Sequence, residues 1–499
     1  MWICFISSQP VQYETHIQPI IQDHCLRCHH PGGIAPMPFT NYQEVSSYGQ
    51  MIQFVTETRY MPPWQANTPD RMYTHQNKLD AEEIQNITNW VSNGMPQATG
   101  RTTRTLAFTE KHLPEYDLEI EMAEPFEQYD IYFDQFQVFV IPFDIGHDTM
   151  INAVEFIPGE NSIVRACHVS ITTDSNILQK DSWDPRYGYN SFGGVDFQAE
   201  WSHWYSWTAG DVPYELDSLS LLLPSKGYFL FHLHYGPTSD KKLDKSKIRL
   251  KFGARDRPLL QTIPLINQEN LTIKPFSIPA NSKTNLHAMT ALNEDIYVHG
   301  LFPQSNLICQ SWEVYAKLES SLTPVHLLRI DQWDFKWKRN YQFTTPIFLP
   351  AGTEIHAFAK FDNTSENLSL PDDQSIQIKW GDQMFEETFL VHFMITNTKH
   401  PKKNGVNSNS TYLLPGETVL KPRITYFKLS GTPLKGSYFE FVHWEKGFSK
   451  IVAPGEGKDA KKNISIDLKN FPAGNYSLYY KNATGAILST RIFTLLDPF

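Results

Sequence analysis

Cysteine is scarce in this chain, with five in 499 residues. That excludes a disulfide framework, which needs an even set of closely spaced cysteines in a short chain. Cys25 and Cys28 sit together, whereas Cys167 and Cys309 are isolated and far apart. Runs of about 18 apolar residues are missing, so no helix in the sequence as it stands spans a membrane. There is no lysine- or arginine-rich stripe and the formal net charge is −11, which argues against nucleic acid as a partner. Apolar stretches with helical spacing are also few. Aromatic residues, at 13%, and 33 prolines are plentiful instead. That balance predicts β-sandwich domains with many turns. The length exceeds one core and predicts about three or four domains.

The opening "MWICFISSQP" is apolar for six residues and then small and polar. It reads as the tail of a secretory signal that lacks its charged start, with Cys4 lost on maturation. Export to the periplasm or cell surface of a Gram-negative bacterium is therefore expected.

The stretch "DHCLRCHHPGGIAP" contains Cys25, Cys28 and His29 in a C-x-x-C-H pattern. This is the attachment signal for a c-type haem. Each thiol adds to one vinyl group, and the following imidazole reaches the iron from the same short turn. Half of a zinc site is the competing reading, but no second C-x-x-C exists to complete it. Ile17, Ile20 and Ile21 lie at helical spacing ahead of the motif, and "NYQEVSSYGQMIQFVTETRY" reads as a second helix. "DAEEIQNITNWVSNG" reads as a third, with Asp80 as N-cap, Glu83 three residues on and Gly94 as the stop. Three helices around a haem form a minimal all-α cytochrome c plan. Met61 in "RYMPPW" is the expected sixth ligand, with Met37, Met51 and Met72 as rivals. His30 is expected to point away from the iron.

"CHHPGGIAPMPF", "RYMPPW" and "ITNWVSNGMP" carry a resemblance across residues 11–98. The segment resembles small bacterial cytochrome c domains fused ahead of copper monooxygenase-like modules. After an acidic connection at 105–127 come short alternating segments such as "QVFVIPF", "KIRLKF" and "SIQIKW", all at strand period. "VEFIPGENSIVRACHVSITTD", "YFLFHLHYGPTSD", "SNLICQSWEVYA" and "LLRIDQWDFKWKRNYQFTTPIFLPAGTEI" resemble the copper type II, ascorbate-dependent monooxygenases. That group includes peptidylglycine α-hydroxylating monooxygenase. The resemblance implies two β-sandwiches, at 105–260 and 261–397, each holding one copper.

Carried over residue by residue, the first copper site falls on Cys167, His168 and His234, with His232 on the same strand face as a substitute. One of the expected imidazoles has become a thiol. In the second sandwich the resemblance puts Gln304, Asn306 and Thr388 where two histidines and a methionine belong. Amide and hydroxyl oxygens are hard donors and poor copper ligands. Met384 lies four residues early and His299 is out of register. Adjacent residues on a regular strand face opposite ways, so Cys167 and His168 share one metal only if the backbone is irregular.

A polar linker at 398–412 precedes a small β domain at 413–499, read as a packing or docking module. Three readings follow. One is an exported electron-transfer cytochrome on a monooxygenase-like scaffold without its oxygen-activating copper. Another is a working copper monooxygenase fed by its own haem. The third is a non-catalytic subunit of a surface complex.

Overall fold

The computed structural model describes residues 11–397, apart from 69–70, 100–103, 319–323 and 371–375, and separate stretches between 419 and 495. The expected leader with Cys4 and the 398–412 linker lie outside the described residues. Among the described residues strands far outnumber helices, so the protein is mostly β with several sheets.

The helical content is concentrated near the start. Residues 13–25 wind through consecutive turns, Tyr13–Ile17, Gln18–Ile20 and Ile21–Cys25, of which the first and last are widened π-type turns. Pro19 sits in the middle; it has no N–H to give, and its ring crowds the carbonyl four residues back. The expected second helix is two, α1 (Tyr42–Ser47) and α2 (Gly49–Glu57), broken at Tyr48. A Cβ on Gly49 would lie 2.4 Å from the Met95 sulfur, so a larger residue at this junction would push the Met95 side chain aside. Helix α3 (Ala81–Ser92) begins as its sequence foretells. Glu83 N–H donates to Asp80 Oδ1 at 2.8 Å, and Asp80 N–H donates to Glu83 Oε2 at 2.8 Å. Gly94 follows at φ +78 and ends it. The helices share a core of Tyr13, Ile17, Ile21, Leu26, Val45, Ile52, Ile87 and Trp90.

The next unit has two sheets over one core. The first runs Tyr189–Asn190, Gln135–Asp144, Lys226–Tyr235, Val164–Thr172, Trp201–Thr208 in spatial order. The second runs Leu118–Glu121, Lys247–Phe252, Thr149–Ile157, Tyr214–Glu215. Strand Lys247–Phe252 is the expected "KIRLKF". The following unit pairs the sheet Gln261–Ile266, Leu390–Asn397, Ile296–Gln304, Tyr341–Leu349 with the sheet Ser282–Ala291, Glu354–Asn363, Cys309–Lys317, Val325–Ile330. Of the expected strand "SIQIKW", only Ile378–Lys379 is a strand.

Residues 64–74 do not stay with the helices. Trp64, Ala66 and Tyr73 enter the core of the second two-sheet unit, Ala66 bridges to Ile330, and Tyr73 bridges to Phe343. Near the C-terminus, Tyr438–His443, Gly474–Lys481 and Ile487–Leu495 pair within a five-stranded sheet, with Phe439, Phe441, Leu478 and Tyr480 buried.

Candidate functional site

Cys25, Cys28 and His29 share one turn at the end of the first helical segment. Cys28 N–H and His29 N–H both donate to the Cys25 carbonyl, at 3.1 and 3.0 Å. Both cysteines are free thiols. Burial pushes the Cys25 thiol up to about 12 and the Cys28 thiol up to about 11, so both keep their protons at neutral pH. Burial also lowers the His29 pKa, which keeps the ring neutral. His29 Nδ1 faces the Met37 carbonyl at 2.9 Å, and the ring stacks on Phe39 with centroids 4.3 Å apart. A metal-binding histidine is oriented in just this way, its second nitrogen donating to a carbonyl so that Nε2 presents its lone pair. These donors fit a covalently attached haem. His30 turns elsewhere and stacks on Phe108 at 4.7 Å.

The four methionines have different surroundings. Met37 supplies the carbonyl that holds His29, so its backbone is on the His29 side. Met51 is 53% exposed on α2, and Met72 is 67% exposed in the segment that runs along the second two-sheet unit, its carbonyl accepting from Thr344 N–H. Met61 is half-buried just past α2, with its N–H bonded to the Val55 carbonyl at 2.9 Å.

The turn of Cys25, Cys28 and His29 also touches the first two-sheet unit. Cys28 Sγ lies 3.7 Å from the Ala209 carbonyl. Gly210 has φ +88, and a Cβ there would lie 2.9 Å from Arg27 Cδ and 3.3 Å from Cys28 Sγ. Asp211 then pairs with Arg339 at 2.7 Å, and that guanidinium sits 5.1 Å above the Trp64 ring. The turn therefore stands where all three units meet.

The expected copper set Cys167, His168 and His234 is not brought together. Strand Val164–Thr172 is regular here, so Cys167 faces the core with Val169 and Ile171, while His168 faces the other way. Burial holds the Cys167 thiol well above its ordinary pKa. His168 is directly paired with His232, ring centroids 6.1 Å apart, and His234 lies two residues further along the same face. His232 Nε2 bonds to the Ser191 carbonyl at 2.8 Å, and His234 Nε2 bonds to Asp134 at 3.1 Å. Burial opposes the Asp134 charge, but His234, Arg165 and Lys336 hold its carboxyl low. Among the described residues, no group of three or more His, Cys, Asp or Glu side chains is arranged to hold a metal ion.

The sequence reading missed two further imidazoles on this contact. His203 and His392 face it, and Phe302 stacks on His203 at 3.9 Å while lying 5.2 Å from His168. His203 bonds to Asn340 at 2.8 Å, and His392 bonds to Ser202 at 3.1 Å, so these histidines tie the two units together. Burial lowers His203 to about 4 and His232 to about 3, and all are neutral at physiological pH. The signal was present in "SHWYSW" and "VHFMIT", where a histidine interrupts aromatic and aliphatic strand residues.

Where the resemblance places the second copper, the side chains form a hydrogen-bonded plug. Asn306 is fully buried; its Nδ2 donates to the Glu386 carbonyl at 3.1 Å and its Oδ1 accepts from the Lys338 ammonium at 3.2 Å. Lys338 also donates to the Gly193 carbonyl at 3.1 Å. Glu387 accepts from the N–H groups of Asn306, Thr388 and Ile308. Burial raises Glu387 to about 7 and lowers Lys338 to about 8. Thr388 is buried and gives its carbonyl to Ser305 Oγ. His299, the nearby imidazole, bonds instead to Thr396 Oγ1 at 2.9 Å. A buried ammonium thus sits against the position where the resemblance requires a copper ligand.

No known family model matches this chain, and no curated protein matches it. The solved structures it is similar to include the VP2 subviral particle of infectious bursal disease virus, at 8% identity over 58% of this chain and 74% of that one, TM-score 0.17. Another is a putative membrane-anchored protein from Corynebacterium diphtheriae, at 9% identity over 69% and 60%, TM-score 0.13. At these scores the likenesses carry no argument.

Proposed function

We propose that this chain is an exported c-type cytochrome with an electron-transfer role, carried on a monooxygenase-like scaffold whose oxygen-activating copper site is gone. The observation that carries the reading is the Cys25–Cys28–His29 turn, with two free thiols on one helical end and an imidazole aimed by the Met37 carbonyl. Cys25 and Cys28 hold the haem, and His29 binds its iron. Met61 is the sixth ligand. Met37 is engaged through its carbonyl in orienting His29, Met51 points to solvent and Met72 runs along the second two-sheet unit. A haem so ligated supplies a single reversible electron, and a thioether opposite the histidine raises its potential.

The hydroxylase reading lacks its donors. Asn306 is committed to Lys338, and a second cation in the same buried pocket meets the charge of the first. The first copper set does not fit either, because Cys167 and His168 face opposite sides of the sheet. The remaining scaffold presents docking surfaces, as a subunit of a periplasmic or surface complex with a redox partner protein.

The test is an anaerobic redox titration of the haem-loaded chain, followed by oxygen, ascorbate, copper and peptidyl-glycine or small aromatic substrates. The expected result is one reversible one-electron couple, lowered in Met61→Ala, and no copper-dependent turnover. Oxygen uptake that depends on added copper contradicts the reading.

A further inference from the structure

We propose that His287, His356 and Met289 form a copper(I) site on the outer face of the second two-sheet unit, at none of the positions where the resemblance expects a metal. His287 Nε2 and His356 Nδ1 point at one another across 3.1 Å. Two imidazoles bound to one tetrahedral ion at about 2.0–2.1 Å stand roughly 3.3 Å apart, nitrogen to nitrogen. The pair is therefore already at the spacing an inserted ion needs. Their ring planes are parallel within 2°, with centroids 5.3 Å apart.

The third donor comes from the register. Met289 is the direct cross-strand partner of His356, and it lies two residues from His287 on the same strand face. Directly opposed side chains have their Cβ atoms about 4.5–5.5 Å apart, within easy reach of a thioether. Met289 is 43% exposed, so an ion has access.

The rings are held in place. His287 stacks on Phe358 at 4.2 Å, and His356 stacks on Tyr315 at 5.0 Å. His356 Nε2 faces Glu354 Oε2 at 3.4 Å, and Glu354 is itself anchored by Lys317 at 2.9 Å. A carboxylate behind the imidazole fixes the tautomer that leaves Nδ1 with its lone pair for a metal. His287 then needs only to carry its proton on Nδ1, and both lone pairs converge. Two imidazoles and a soft thioether, with the carboxylate outside the ligand shell, select copper(I) over zinc or magnesium.

The full chain is titrated anaerobically with copper(I) against a competing chelator, and in parallel with zinc(II). The expected result is one copper(I) per chain bound more tightly than zinc, with nitrogen and sulfur ligands in its X-ray absorption spectrum. His356→Ala abolishes binding, Met289→Leu weakens copper(I) while leaving zinc unchanged, and Glu354→Gln weakens copper by roughly tenfold. The site is wrong if copper(I) does not bind stoichiometrically, if Met289→Leu has no effect, or if binding is lost with His168→Ala instead. The absorption spectrum of the unmutated chain decides the matter should a variant fail to fold. None of these outcomes touches the haem.

Discussion

Glu387→Gln removes a buried carboxyl from the plug formed with Asn306, Lys338 and Thr388. Burial raises the Glu387 pKa from 4.5 to about 7. A carboxyl with a raised folded pKa binds its proton more tightly when the structure is closed. Its contribution to stability is complete below the unfolded value and is lost as pH rises through about 7. The rise from 4.5 to about 7 is roughly 2.5 pH units, or on the order of 3 kcal/mol at about 1.36 kcal/mol per unit. Most of it, about 2.5 kcal/mol, falls between about pH 5 and pH 8. Lys338 stays largely protonated over most of this window, open or closed, because its own lowered value is about 8. The local readout is hydrogen exchange at the Asn306, Ile308 and Thr388 amides, all donors to Glu387. Corrected for intrinsic exchange, their protection is expected to fall by nearly two decades over that range in the natural chain. In Glu387→Gln the slope disappears, and the Ile308 amide loses its acceptor at about 1–3 kcal/mol. A natural chain with pH-independent protection, or a variant that keeps the slope, would refute the argument that Glu387 is buried beside Lys338 with its charge penalised.

Other outcomes follow from the same contacts. Gly210→Val places a β-branched residue at φ +88, against Arg27 and Cys28, which costs about 1–2 kcal/mol in backbone alone. It is expected to loosen the attachment turn, seen as faster exchange at residues 25–29. Met61→Ala opens the sixth position, so ferrous haem is expected to bind carbon monoxide; an unchanged spectrum assigns the ligand elsewhere. Trp90→Ala empties the centre of the helical core and is expected to cost about 3–5 kcal/mol in urea unfolding of the helical signal.

Local signals were legible because they act within a few residues. The Asp80–Glu83 capping box and the Gly94 stop occur as written, since both satisfy backbone groups of their own helix. The short C-x-x-C-H spacing likewise leaves Cys25, Cys28 and His29 on one turn. Long-range packing was not legible. Nothing in "WQANTPDRMY" marks Trp64 and Tyr73 for a core some 260 residues downstream. Strand phase separates two of the expected copper ligands: alternation puts Cys167 in the core and His168 on the opposite face, and only a bulge between them would join them. The resemblance set Gln304 and Asn306 where histidines would stand, but nothing in the sequence told that Lys338 arrives from another strand connection to bond Asn306.

The most direct test of the central claim is the state of iron in the purified chain. The account predicts one haem per chain that stays attached through acid unfolding and solvent extraction. It also predicts that the haem becomes extractable or absent when Cys25 and Cys28 are both replaced by serine. A natural chain that carries no haem, or releases all of it on extraction, or holds zinc at Cys25 and Cys28 instead, contradicts the account.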